Sequence, residues 1–312
     1  MINLPAILRA AKDLEPLPAS VSRLAALVAR PDVEIRDIVE VVNYDQGLTA
    51  RLLRVANSAA SAAISPITTV KGAVVRLGTG TVLSLATGAS LKRQLERAIP
   101  VYGLSEGELW RHSIAAALAA EAAPPYCRAP VPPEAFTAAL LHDVGKLVLA
   151  RFLYPEVKAL LARTQSTGGL LTLEAEMEVL ETHHGDLGGL VTQRWRLPET
   201  IVKGVTHHHY PDDGNHLICD VVHLADAVAH VVATATAAAT AAPCMASATA
   251  TNSAAAAPAT PASAPDSAAG LAFGAINIRA GARERLGLTE DGPQGLAALV
   301  AGRLQEVLER YN

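Results

Sequence analysis

Large aliphatic residues in this chain recur three and four positions apart, and no convincing run alternates in twos between hairpin turns. That spacing gathers them on one side of a 3.6-residue helix and offers no strand with a buried face. Val21, Leu24, Ala25 and Val28 make one stripe, which stops before Pro31. Ile35, Ile38, Val39 and Val42 make a second, and Leu48, Leu52, Val55 and Ala56 a third. Val70, Ala73, Val74 and Leu77 make a fourth, closed by Gly78 at a position suited to a left-handed cap, and a fifth helix covers about Thr81 to Arg97. The predicted fold is all-α, a multi-helix bundle.

Several histidines and acids fall on the same inward faces. Ser105 followed by Glu108 reads as a capping-box start, and beyond it Leu109, His112, Ala116 and Ala119 share a stripe. After Pro132-Pro133, Phe136, Ala139, Leu140, Asp143 and Leu147 share another, with His142 one step to its side. Val202, Val205 and His209 align after Pro198, with Ile201 and His208 on the adjoining row, and Val222, Ala225, Asp226 and Ala229 follow the helical pattern. A buried, unpaired carboxylate at Asp226 costs several kcal/mol, so it needs a cation, an arginine or a proton. Imidazoles and carboxylates together suit Mn, Fe, Zn, Ni or Co, and a bridging carboxylate can hold two such ions. The competing reading is a metal-free polar network that fixes helix packing.

The segment LHDVGKLVL, Leu141 to Leu149, resembles the HD superfamily of metal-dependent phosphohydrolases. Further motifs narrow the match: Leu17-Pro18, NYDQGLTARLLRVANSAA from Asn43, VVRLGTGTV from Val74, WRHS from Trp110, HHGDLGGLVTQRWRLP from His183, HHYP from His208 and VVHLADAVA from Val221. In this order, from about Leu14 to His230, they resemble the HDOD family, a bacterial signalling branch related to the HD-GYP cyclic-dinucleotide phosphodiesterases. The resemblance implies that His112, His142, Asp143, His184, His208, His209 and Asp226 stand where HD-GYP enzymes hold metal, and that Lys146 stands where a lysine contacts substrate phosphate. It implies a regulatory module that binds a signalling protein partner or a small phosphorylated ligand, with one or two divalent metal ions and no demonstrated catalysis. The alternative is a metal-dependent phosphohydrolase acting on a nucleotide or cyclic dinucleotide. Against that, the histidine pair is followed by Tyr210-Pro211-Asp212-Asp213-Gly214-Asn215, without a Gly-Tyr-Pro signature.

Composition bounds the rest. The chain has 312 residues, enough for a sizeable core, and only 4% are aromatic, so alanine, leucine and valine must fill it. A net charge of -4 gives no reason to expect a nucleic-acid-binding surface. Cys127, Cys219 and Cys244 are too scattered for a disulfide framework and fit a reducing cytoplasm. No segment reads as a signal peptide or a membrane span. The organisation expected is a lead at 1–13, an HDOD domain at 14–232 with a helical first half (14–100) and an HD-like second half (105–232), a low-complexity linker at 233–270 and a helical segment at 271–312. The linker is nearly all alanine, threonine, serine and proline and is expected to be a disordered insertion near the C-terminus. The final stripe, Leu296, Leu299, Val300, Leu304 and Leu308, covers the body of the domain or, as the alternative, forms a homodimer contact. His183 and His207 are expected to be exposed; His223 and His230, three before and four after Asp226 on the same helix side, either support it or, as the favoured reading, are solvated or at the core edge. Asn57-Ser58 is expected to satisfy backbone groups, Trp195 to anchor the helix presenting His184, and Arg51 and Arg54 to line a solvated face.

Overall fold

The computed structural model describes residue 9 and residues 14–58, 66–152, 172–246, 273–309 and 311. Among the described residues no strand forms, apart from an isolated bridge between Ile99 and Leu104. The first group of helices is α1 (Ala19–Val28), α2 (Ile35–Asn43), α3 (Gln46–Ala56), α4 (Val70–Leu77) and α5 (Thr79–Leu95). The second is α6 (Glu108–Ala122), α7 (Ala135–Leu141), α8 (Gly145–Phe152), α9 (Leu173–Leu180), α10 (His184–Arg194), α11 (Glu199–Thr206), the single turn α12 (Pro211–Gly214) and α13 (Leu217–Ala246). Two more, α14 (Ala280–Leu286) and α15 (Gly292–Glu309), close the chain.

The apolar stripes set the packing. Val21, Leu24, Ala25 and Val28 are the buried residues of α1, and Leu48, Leu52, Val55 and Ala56 those of α3. In α2 the buried face is Ile38, Val41 and Val42, whereas Ile35 stays exposed: α2 meets α1 and α4 through its later residues. Side-chain oxygens of Asp45 and Thr69 accept the Leu48 and Gly72 N–H groups and so cap α3 and α4. Between α4 and α5 the chain bends by 105° at Gly78, whose φ of 80° is open to glycine and costly for other residues. Its ψ of 157° lies outside the left-handed helical cap expected from sequence. Asn57 behaves as expected, donating to the Leu53 and Ile67 carbonyls while its own oxygen accepts the Ile67 N–H.

Helix α6 is the central element, in contact with α7, α13 and α15. Of the predicted last stripe Leu296, Val300 and Leu304 are buried, with Ala297, against α6 and α13. Tyr311, two positions past the end of α15, turns back into the first helix group. Its ring packs edge-on against Trp110 at 5.1 Å, its carbonyl accepts from Arg51 at 2.9 Å, and it fills a notch on α5 where a Cβ on Gly88 would collide with the ring. Arg51 therefore holds the C-terminal end of the fold rather than a purely solvated face.

Helix α13 is long and apolar enough over Leu217–Ala238 to cross a membrane, but 61% of that window is buried inside the fold, as in a core helix. It runs on to Ala246, so the beginning of the alanine-rich stretch is helical, as alanine's high propensity allows. The remainder of the predicted insertion, 247–270, lies outside the described residues, as does the lead 1–13 apart from Arg9.

Candidate metal centre

Five elements converge on one interior site. His112 comes from α6, His142 and Asp143 from the turn between α7 and α8, His184 from the first residue of α10, His208 and His209 from the turn after α11, and Asp226 from α13. The local structure differs from the sequence reading in three places. The carboxylate of Glu108 accepts the Ser105 N–H at 2.6 Å, but α6 begins at Glu108 itself. His142 and Asp143 stand in a turn rather than inside a continuous helix, and α11 ends at Thr206, before the histidine pair. Each break frees a ring or carboxylate to point inward from a chain reversal.

Helix α10 starts where it does because His183 caps it. His183 is buried, not exposed as expected; its Nδ1 accepts the Gly185 N–H at 3.1 Å, while Asp186 receives the His183 N–H. Gly145 allows α8 to lie against this start, since a Cβ there would overlap the carbonyl of His184.

All seven predicted ligand residues meet in three overlapping triads: His112, His142 and Asp226; His142, Asp143 and His208; His184, His208 and His209. Within each, one ligand-type atom per residue lies within 4.8 Å of the others. The rings are oriented from behind. Nδ1–H of His142 donates to the Ala139 carbonyl and Nδ1–H of His208 to the Val205 carbonyl, both at 2.7 Å, so each Nε2 faces the centre. His112 Nε2 lies 3.2 Å from His142 Nε2 and 3.1 Å from Asp226 Oδ1. His184 Nε2 lies 2.8 Å from His209 Nε2 and 3.2 Å from Asp143 Oδ1. Lys146 does not stand free: its Nζ pairs with Asp143 Oδ2 at 2.7 Å and lies 5.5 Å from the centroid of the Tyr102 ring.

Burial and charge divide these groups. Burial pushes His112 down to about 4, and burial with the neighbouring His184 pushes His209 down to about 3. Burial and the surrounding histidines take His208 well below its ordinary value. Burial also works against a charged His142, but Asp143 and Asp226 outweigh it and hold that ring up at about 10. Burial opposes ionisation of Asp143 and Asp226 too; His142 and Lys146 around the first, and His112, His142 and His230 around the second, bring both well below the usual carboxylate range.

His112, His208 and His209 are thus neutral imidazoles, whereas burial at His184 is outweighed by Asp143 and Glu176, and the carboxylates are neutralised by a proton on His142 and by Lys146. A divalent ion can take over from that proton, which is how metal binding at such sites releases protons. The donor set fits an ion on a further ground: His208 Nε2 is buried, aimed inward and without a hydrogen-bond partner. An orphaned buried nitrogen costs about 1–3 kcal/mol, and a coordinate bond removes that cost. The 3.2 Å between the His112 and His142 nitrogens is also close to the spacing of about 3.3 Å that metal–nitrogen bonds of about 2.0–2.1 Å at tetrahedral angles produce, whereas the His184–His209 pair at 2.8 Å is tighter.

Sequence reasoning missed Glu176. It is fully buried on α9, accepts the His184 N–H at 2.6 Å, sits 2.9 Å from His184 Nδ1, and receives the Tyr102 hydroxyl at 2.7 Å. Its one sequence signal is a place four residues before Leu180, on the inward side of α9. His230 and His223 take the supporting places that their spacing around Asp226 allows: His230, though exposed, has Nδ1 3.0 Å from Asp226 Oδ1, and half-buried His223 donates Nδ1–H to the His208 carbonyl at 2.7 Å. Beside the centre, a cleft of about 560 Å³ reaches His112, Asp143 and Lys146 and is also lined by Arg111, His230 and Leu304.

A family model described as HDOD domain matches residues 14–211. An uncharacterized protein of Treponema pallidum (strain Nichols) is 24% identical over 202 residues, which are 63% of this chain; the match takes in 38% of that relative's length. Among solved structures, an HDOD domain protein with unknown function from Geobacter sulfurreducens superposes with a TM-score of 0.63 at 21% identity, covering 99% of this chain and 98% of its own. A candidate phosphohydrolase from Shewanella amazonensis SB2B gives 0.62 at 22% identity, covering 98% of each chain. A candidate signal transduction protein from Marinobacter aquaeolei VT8 gives 0.62 at 23% identity, covering all of this chain and 61% of its own.

Proposed function

The chain belongs to the HDOD domain family, and from that premise we propose that it is a bacterial signal-transduction module whose His/Asp centre holds one or two divalent metal ions. The observation that carries the metal is the unpartnered Nε2 of His208. His112, His142 and Asp226 would hold an ion at one end of the centre and His184, His208 and His209 at the other, with Asp143 between them. A bound ion there would polarise a phosphoryl oxygen or lower the pKa of a water. The chain's own contribution is orientation: backbone carbonyls fix the His142 and His208 tautomers, and Glu176 fixes that of His184. The free thiols at Cys127 and buried Cys219 support a reducing compartment such as the cytoplasm. Metal analysis of the purified protein tests the proposal. His142→Ala and Asp226→Ala should lower metal content and melting temperature together, because an ion held only by the folded state stabilises it; equal metal content in all three proteins would refute it.

The cleft favours a second reading, a metal-dependent phosphohydrolase. Its volume is in the range of small-ligand sites, and Arg111 and Lys146 supply cations for a phosphate. With the Gly-Tyr-Pro signature absent, the module reading predicts no hydrolysis of cyclic dinucleotides above a metal-free control. Turnover that disappears in both Lys146→Ala and Asp143→Ala would replace the first reading with the second.

A further inference from the structure

Residues 273–288 follow the family match, yet they return to the backbone of the histidine pair. Nε of Arg279 donates to the His209 carbonyl at 3.0 Å, and the same guanidinium lies 4.8 Å from the centroid of the Tyr210 ring. The Arg279 backbone N–H donates to Nε2 of His223 at 3.2 Å, and His223 in turn holds the His208 carbonyl. One residue therefore controls both carbonyls of the pair, the second directly and the first through an imidazole. Behind it Arg285 anchors α14. It forks onto the fully buried carboxylate of Asp220 at 2.9 and 2.6 Å and reaches Asp212 of α12 at 2.7 Å. The Leu286 carbonyl then accepts the Arg128 and Ala129 N–H groups, tying the other end of α14 to the loop before α7.

The turn so gripped connects α11 to α12 and supplies two of the three rings in one triad. A shift of its carbonyls shifts two donor nitrogens at once, since the His208 and His209 ring centroids are only 4.0 Å apart. We infer that Arg279 is a positioning residue for His208 and His209, anchored by Arg285, and that the segment beyond the family match is a working part of the histidine centre. The consequence for metal affinity rests on the function proposed above; the positioning itself does not.

Two measurements on the full-length chain separate these. The first is acylation of His209 by diethyl pyrocarbonate in metal-stripped protein, followed by peptide mass mapping. The second is titration with Co²⁺, read by its visible absorption. Arg279→Ala should speed His209 acylation about tenfold and weaken Co²⁺ binding by about 10–100-fold, the usual effect of removing a group that orients a ligand. Arg279→Lys, which can still donate to the carbonyl but cannot stack on Tyr210, should recover part of both. Glu284→Ala, exposed on the same helix, should change neither. If wild-type protein takes up no Co²⁺, the metal reading fails while His209 acylation still decides the positioning role. Wild-type acylation of His209 in Arg279→Ala overturns the inference. Should that variant not fold, Arg279→Met, which keeps the length without a donor, is judged by the same criterion.

Discussion

Glu176 and His184 meet twice: the buried carboxylate accepts the histidine's backbone N–H and stands 2.9 Å from its Nδ1. Glu176 fixes a proton on Nδ1, so Nε2, 3.2 Å from Asp143 Oδ1, is the nitrogen that an ion would take in place of a proton. Glu176→Gln keeps the shape and removes the charge. We expect it to weaken Zn²⁺ binding by about 10–100-fold in a competition titration. Tyr102→Phe, which removes one bond to the same carboxylate, should weaken it less. Unchanged affinity in Glu176→Gln would mean that the carboxylate does not tune His184.

Gly145→Ala should destabilise the protein strongly although it adds a single methyl. The new Cβ would meet the backbone carbonyl of His184, which cannot rotate away as a side chain can. Overpacking of this kind costs about 1–3 kcal/mol, and a loss of roughly 2–12 °C in melting temperature should follow for a domain of this size. A melting curve that overlays wild type would show that α8 and α10 part without cost.

Acid should destabilise metal-stripped protein well before ordinary carboxylates titrate. His112 and His209 are held down at about 4 and 3 in the folded chain, against about 6.5 when unfolded. Between pH 6.5 and 4 the unfolded state binds more protons, so stability present above pH 6.5 is lost as pH falls. His142, held up at about 10, has the opposite sign: its contribution is complete below pH 6.5 and lost as pH rises towards 10. Melting temperature against pH, measured in chelator, should therefore peak near neutrality. A flat profile from pH 7 to 4.5 would contradict the buried, neutral state of His112 and His209.

Tyr311→Ala should unseat the junction between the two helix groups. Truncating a buried aromatic costs about 3–5 kcal/mol, or roughly 6–20 °C in melting temperature. Wild-type stability in this variant would show that the notch at Gly88 closes by itself.

Much of the fold was legible because helices report themselves locally. The stripes of α1, α3 and α15, the turn at Gly78 and the inward positions of His112 and Asp226 all follow from spacing within one element. The convergence of three motifs carrying His142, His184 and the His208-His209 pair was legible only through resemblance, since nothing local says that distant helices share an interior. What escaped depends on contacts between remote segments. Glu176 reads as one more acid on a short helix until Tyr102 and His184 enclose it. His183 resembles an exposed neighbour of a ligand, yet its ring caps α10. Arg279 looks like a surface cation, and only the return of the chain after α13 brings it to His209. Leu140, Asp143 and Leu147 keep helical spacing across the break, so the turn at His142–Asp143 looks like continuous helix in the sequence.

The contact between Tyr311 and α5 also orders events in time. The hydrogen bond from the Tyr311 hydroxyl to the Ser84 carbonyl spans 227 positions. Ribosomes add about 5–20 residues per second, so the seat at Gly88 is synthesised roughly 10–45 s before the ring that fills it. During that interval the junction that Tyr311 makes between Gly88 of α5 and Trp110 of α6 cannot form.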